Sequence, residues 1–262
     1  MKNTIVVGIL GLVISAAMLA FGFYSGASQA RAPQSPQILA SAPALDRAAI
    51  EEVVRSYLLE NPEIIGEMQA LLEERQKDAE RVAQVDTIRT ASADIFDSAH
   101  DGMFGNPDGN ATIVEFFDYN CGFCKRALSD MEAMVAADPQ LRFVLKEFPI
   151  LGPDSQRAHV VSMAFRQLHP EKFRDFHLAM MKSAGRATEE SAIRTAVSLG
   201  ADEAELRVAM RNPEIAAVFA GTYELANRLA ITGTPSYVIG EEVVFGAMGR
   251  EVLGEKVEMA RN

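Results

Sequence analysis

Apolar residues recur along this chain in different rhythms, and each rhythm predicts a different kind of element. After Lys2 an apolar stretch runs from Ile5 to about Tyr24, and the next charge is Arg31. That is the pattern of an export segment, and its length nearly spans a bilayer. Ser28-Gln29-Ala30 sets small residues where a signal peptidase cuts. Residues 1–30 therefore read as a cleaved signal or as an uncleaved N-terminal anchor. Residues 31–44 carry three prolines among small residues and read as a linker. From Leu45 the spacing turns helical, with Ile50, Val53, Val54, Tyr57 and Leu58 on one face. Asn61-Pro62-Glu63 predicts a break, with Asn61 capping a second helix and Pro62 at its first position. That helix carries Ile64, Ile65, Met68, Leu71 and Leu72, then a charged stretch from Glu73 to Arg81, then Val82, Val85 and Ile88. Residues 45–90 hold more apolar stripe than they can bury themselves. They either fold back on the rest of the chain or act as a helical oligomerisation segment covered by partner chains.

Beyond Ala111 the pattern becomes that of an α/β unit. Thr112 to Tyr119 is an apolar run suited to a buried strand. A helix follows to about Ala137, and Leu141 to Phe148 predicts a second strand, parallel to the first across the crossover. A helical block from Asp154 to about Leu229 is broken near His169-Pro170, Gly185, Gly200 and Asn212-Pro213. Ser236–Ile239 and Val243–Phe245 predict a hairpin turned by Gly240-Glu241-Glu242, and Gly249 opens a closing helix. The order is β-α-β, a helical insertion over about 154–230, then β-β and α.

Composition narrows the function. With 262 residues, 48% of them hydrophobic, the chain can build one good-sized core and a small second unit. The formal net charge of −11, with no block of Lys and Arg, makes nucleic acid an unexpected partner. Export puts the body of the chain where disulfides persist, yet it has only two cysteines, three positions apart. That pair is either reactive or an accident of local sequence.

Placement favours reactivity. Cys121-Gly122-Phe123-Cys124 sits between a buried strand and a helix, where unpaired amides and the dipole stabilise a thiolate. Cys121, the more exposed in such a turn, is the expected nucleophile, and Cys124 the resolving thiol. Lys125 and Arg126 either add positive charge or face solvent. Structural zinc needs four ligands; there is no second cysteine pair, and His100, His159, His169 and His177 show no ligand spacing around this one. His169-Pro170 reads as a helix boundary, and His177 is as readily a helix-surface residue as a ligand. Glu115 is a carboxylate inside an apolar strand. It is either a buried acid with a raised pKa, able to exchange protons with Cys124, or a strand-end residue reaching water. Thr234-Pro235 precedes a strand. If that bond is cis, the preceding backbone groups are left for an extended substrate; a trans loop proline is the ordinary alternative.

These residues resemble the DsbA-like branch of the thioredoxin superfamily, from about Phe104 to the C-terminus. The likeness rests on Val114-Glu115-Phe116-Phe117-Asp118-Tyr119-Asn120-Cys121-Gly122-Phe123-Cys124-Lys125, on Lys146-Glu147-Phe148-Pro149-Ile150-Leu151-Gly152 and on Gly233-Thr234-Pro235-Ser236. Tyr57-Leu58-Leu59-Glu60-Asn61-Pro62-Glu63 resembles the oligomerisation region of ScsC-type proteins, the suppressors of copper sensitivity. The resemblance implies an α/β thioredoxin-like fold over 91–262 with a helical insertion. It implies Cys121 as nucleophile, Cys124 as resolver, Glu115 as buried acid and Pro235 as a cis proline, with Thr234 and Phe123 meeting substrate. The Gly-Phe dipeptide departs from the Pro-His of strongly oxidising DsbA proteins and is nearer the Gly-Tyr of DsbC isomerases. The expectation is a periplasmic protein disulfide isomerase or reductase that needs no cofactor. It would act on exported client proteins, draw electrons from a membrane redox partner, and assemble as a homo-oligomer, a dimer or trimer. A dithiol oxidase and a copper(I)-binding envelope protein are the alternatives.

Overall fold

The computed structural model describes residues 46–261. The export segment (1–30), the whole linker (31–44) and Leu45 lie outside the described residues. Two compact units divide at Glu67 and Met68. The first contains α1 (Arg47–Glu60), capped by the Asp46 carboxylate, which accepts the Ala48 N–H at 3.1 Å. None of the residues of α1 is buried. Asn61 does not cap the next helix forward; its side-chain amide donates back to the Tyr57 carbonyl at 2.8 Å and closes α1. Helix α2 (Glu63–Thr90) then starts one residue beyond Pro62.

The second unit is built on a five-stranded sheet of order β1-β3-β2-β4-β5. Its strands are β1 (Gly102–Gly105), β2 (Ala111–Phe117), β3 (Leu141–Glu147), β4 (Ser236–Ile239) and β5 (Glu242–Phe245). Only β2 and β3 run parallel, joined through α4 (Gly122–Ala137) as the crossover requires. The other pairs are antiparallel. Strand β1 was absent from the sequence reading, because Gly-Met-Phe-Gly is too short to show an alternation. It takes the sheet edge beside β3, with Phe104 opposite Phe143.

The insertion is a run of helices: α5 (Pro153–Leu168), α6 (Phe173–Lys182), α7 (Glu189–Ser198), α8 (Glu203–Ala209) and α9 (Pro213–Arg228). The breaks fall where Pro and Gly forecast them. Gly152, at φ 100, makes the sharp entry to α5 that a side chain would strain. A closing helix, α10 (Gly249–Arg261), completes the chain.

Pleating sorts the β2 side chains between two cores. Ile113 and Phe117 join α4, α10 and the insertion helices, and both cysteines belong to that cluster. Val114 and Phe116 face the other way, against Leu225 and Leu229, Ile95 of the short α3 (Ser92–Phe96), and Ile88 from the end of α2. Each such side chain contributes on the order of 1.5–3 kcal/mol when fully buried. The end of α2 is also held by Gln84, which donates to the Leu229 carbonyl at 2.9 Å, and by Arg89, paired with Glu241 at 2.7 Å. His177, for which a helix-surface position was one of two readings, is fully buried on α6, because its side of the helix carries Phe173, Phe176 and Met180 into the core. Among the described residues no helix is long and apolar enough to cross a membrane.

Candidate active site

Cys121 is the N-cap of α4, and the Cys124 N–H donates to its Sγ at 3.3 Å. The two thiols are unbonded, so this is the dithiol form. Opposite the helix mouth, the Cys121 thiol meets the Thr234 carbonyl at 3.1 Å, and the Thr234–Pro235 bond is cis. The Thr234 carbonyl is thus already engaged by Cys121 rather than left open. The Pro235 carbonyl accepts the Gly246 N–H at 2.9 Å, fixing the loop beside β5.

The two cysteines have opposite acidities. The Cys124 thiol donating to Cys121, against the cost of burial and with help from the Thr234 side chain and the Cys124 and Phe123 amides, lowers Cys121 to about 5. Cys124 is pushed far up, first by complete burial and then by the same hydrogen bond and the nearby charges. Both are shielded, Cys121 being 5% exposed and Cys124 0%. Access comes over Gly122 and Phe123, whose ring is 59% exposed and stacks under the Arg126 guanidinium at 4.3 Å. Lys125 turns away from the thiols and donates to the carbonyls of Ser183 and Gly185 at 3.0 and 3.3 Å.

Glu115 is no strand-end residue. It sits mid-strand in β2, between Leu145 and Tyr237, on the face that α4 covers, and is 1% exposed. Its Oε1 has no hydrogen-bond partner. Burial, then the Cys121 charge, raises its carboxyl to about 8. A neutral acid is therefore stored next to the buried thiol.

Several polar residues of the turn escaped the sequence reading. The Asp118 carboxylate accepts the Asn120 N–H (2.8 Å), the Leu151 N–H (2.9 Å) and the Ser155 hydroxyl (2.7 Å). Asn120 in turn exchanges two bonds with the backbone of Ala187, at 2.9 and 2.7 Å. The only signal for them was a polar Asp118 and Asn120 flanking the apolar strand end.

Residues 112–258 match the family described as DSBA-like thioredoxin domain, and residues 46–79 match the copper resistance protein ScsC N-terminal domain. The chain belongs to the DsbA-like thioredoxin family. Among solved structures it is similar to a thioredoxin-like oxidoreductase from Silicibacter pomeroyi, 38% identical over 64% of this chain and 96% of that one, TM-score 0.62. The thiol-disulfide exchange protein alpha-DsbA2 from Wolbachia pipientis is 27% identical over 69% and 97%, TM-score 0.63. Proteus mirabilis ScsC in a transitional conformation is 25% identical over 83% and 97%, TM-score 0.61. No curated protein matches the chain. As a DsbA-like protein it is a thiol-disulfide oxidoreductase of the DsbA and ScsC type. The thioredoxin-like fold with its helical insertion and the ScsC-like N-terminal segment are as the resemblance implied.

Proposed function

We propose that this DsbA-like protein isomerises or reduces incorrect disulfides in exported proteins, working in the periplasm through Cys121 and Cys124. One observation carries the reading: the Cys124 thiol leads the bonds that lower Cys121 to about 5, while burial first and that same bond next push Cys124 up. Cys121 is then a standing thiolate at neutral pH and attacks one sulfur of a client disulfide. One S–S bond breaks, one forms, and the client leaves a free thiolate. For isomerisation a second client thiolate attacks the mixed disulfide and releases Cys121, with no net electron transfer. For reduction Glu115 first releases its own proton to solvent; Cys124 then attacks Cys121, its proton passing to the Glu115 carboxylate, and the second client sulfur leaves. The client gains two electrons, and a partner dithiol later restores the protein.

Glu115 is suited to that step. The Cys121 charge helps hold its proton, and that charge disappears once Cys121 is in a mixed disulfide. The carboxyl loosens its proton as Cys124 needs a base. Phe123 and the Thr234–Pro235 loop border the thiol and are the surfaces a client chain meets.

Residues 45–90 are proposed as the oligomerisation segment, making the protein a homo-oligomer. On α1, Val53, Tyr57 and Leu59 are 68%, 58% and 71% exposed, and Met68 of α2 is 63% exposed. A helix of this length is marginal in water without something on its apolar stripe. An oligomer holds a client while its disulfides are retried.

Thiol trapping in cells tests the reading: an isomerase keeps Cys121 and Cys124 reduced at steady state and reactivates scrambled ribonuclease. A pair found oxidised in cells, with no reactivation, makes the protein a dithiol oxidase instead. That second reading has its own support, because a stabilised thiolate makes the corresponding disulfide a strong oxidant.

A further inference from the structure

Beside the cysteine turn lies a cluster of buried polar side chains that the exchange steps do not use. His159 of α5 is its centre and is fully buried. Its Nδ1 bonds the Glu147 carboxylate at the end of β3, and its Nε2 accepts the Tyr119 backbone N–H at 3.0 Å. Glu147 also accepts the Ser162 hydroxyl at 2.5 Å. The Tyr119 hydroxyl meets Ser162 at 2.9 Å and His177 of α6 at 3.4 Å. Asp118 stands 3.8 Å from Nε2.

The three amides that follow Asp118 each have a partner. Tyr119 N–H goes to His159, Asn120 N–H to the Asp118 carboxylate, and Cys121 N–H to the Asp118 carbonyl at 2.9 Å. The last two bonds lie within the turn. The first ties it to α5, assisted by Ser155 and Leu151 on the Asp118 carboxylate. A buried imidazole is costly unless both nitrogens are satisfied, and an apolar residue would fill the space without that cost. Here both nitrogens are bonded, one of them to the backbone two residues before Cys121.

We propose that His159 is a positioning residue for thiol exchange: braced by Glu147, its Nε2 fixes the 118–121 turn so that Cys121 Sγ lies on the Cys124 amide. The inference rests on Cys121 being the attacking thiolate. It also fixes the tautomer. Burial works against the imidazolium, whereas the charges and hydrogen bonds of Glu147 and Asp118 work for it and would raise the ring to about 9. The Tyr119 N–H decides the matter, because it needs a bare lone pair on Nε2. The ring is neutral, with its proton on Nδ1 toward Glu147.

Two substitutions separate the nitrogens. His159→Gln keeps an acceptor near the Nε2 position, and His159→Asn keeps a donor near Nδ1 and leaves the Tyr119 amide alone. Alkylation of the dithiol protein across pH, resolved by peptide, reads Cys121 and Cys124 separately. His159→Asn should raise the Cys121 midpoint by about one unit, and His159→Gln should stay within a few tenths. Midpoints that match the parent in both variants, or that follow melting temperature rather than the nitrogen replaced, overturn the role of His159 alone. A parent whose Cys121 remains a protonated thiol at neutral pH overturns the exchange reading and this inference with it. Should the Asn variant not fold, nitrogen-15 spectra of the parent decide. They should show a bare Nε2 and a Tyr119 amide resonance that moves with Cys121 titration. A doubly protonated ring at neutral pH, or a Tyr119 amide indifferent to Cys121, overturns the proposal.

Discussion

Glu115→Gln gives the sharpest test of the buried acid, because its effect has a sign and a pH window. The carboxyl rises from 4.5 to about 8 on folding, so the folded chain holds a proton that the unfolded chain releases. A group with a raised folded pKa contributes its stability fully below the unfolded value and loses it as pH climbs through the folded one. At about 1.4 kcal/mol per unit, this window has a ceiling of roughly 5 kcal/mol, and relaxation around the charge brings the expected figure to about 2–4 kcal/mol. Glutamine keeps the shape and cannot ionise. Its extra buried N–H adds a cost that does not depend on pH, so the measurement is the slope of the difference and not its value at one pH. Urea unfolding of both dithiol proteins from pH 5 to 9 should show the parent losing stability relative to Glu115→Gln, most steeply between pH 5 and 8. Stopped-flow exchange at neutral pH should show normal attack and mixed-disulfide release slowed at least about tenfold. A stability difference flat across that range, or release at the parent's rate, refutes the assignment of Glu115 as a proton store.

Cys124→Ala should accumulate mixed disulfides with client proteins on non-reducing gels, whereas Cys121→Ala should not; equal trapping by both would reverse the assignment, and trapping by neither would favour copper(I) binding. Removal of residues 46–80, which spares Gln84, Thr87 and Ile88 at the α2 end, should give a folded monomer by light scattering. It should keep exchange with small dithiols and lose most reactivation of scrambled ribonuclease; a full-length protein already monomeric would end the stalk reading. Asn120→Ala breaks two bonds to Ala187 and should cost about 1–3 kcal/mol of stability in thermal or urea unfolding.

The parts of this molecule that were legible in the sequence are those written in local rhythm. The apolar run around Glu115, the Cys-x-x-Cys spacing at a strand-to-helix junction and the Pro and Gly breaks of the insertion are contiguous signals, and each element stands close to where they put it. Glu115 stood out because one carboxylate interrupted an apolar strand. His159 gave no such signal. Its partners are Glu147, 12 residues away, and the Tyr119 backbone, 40 residues away, and no spacing rule joins them. The burial of His177 is hidden in the sequence for the same reason, since the apolar side it shares becomes core only once α6 meets β1 and α4. Strand β1 needed β3 to exist before four residues could be recognised as a strand.

The order of proton movements follows from how one turn treats its two thiols. The Cys124 amide and thiol both lean on Cys121, so whatever stabilises the thiolate there also withholds the proton of Cys124. In the dithiol protein the second sulfur is therefore silent, and it gains acidity only once Cys121 is bonded to a client. Once Cys121 is bonded to a client, its charge is gone from beside both Cys124 and Glu115. That charge had raised each of them, so its loss makes Cys124 a better acid and Glu115 a readier base in the same event. How long the mixed disulfide survives before Cys124 resolves it then governs the outcome. A slow resolver leaves time for a second client thiol to attack and gives isomerisation, and a fast one gives reduction. Glu115, and the turn geometry set by Asp118 and His159, are thus the places where substitution should shift the balance between the two without touching either cysteine.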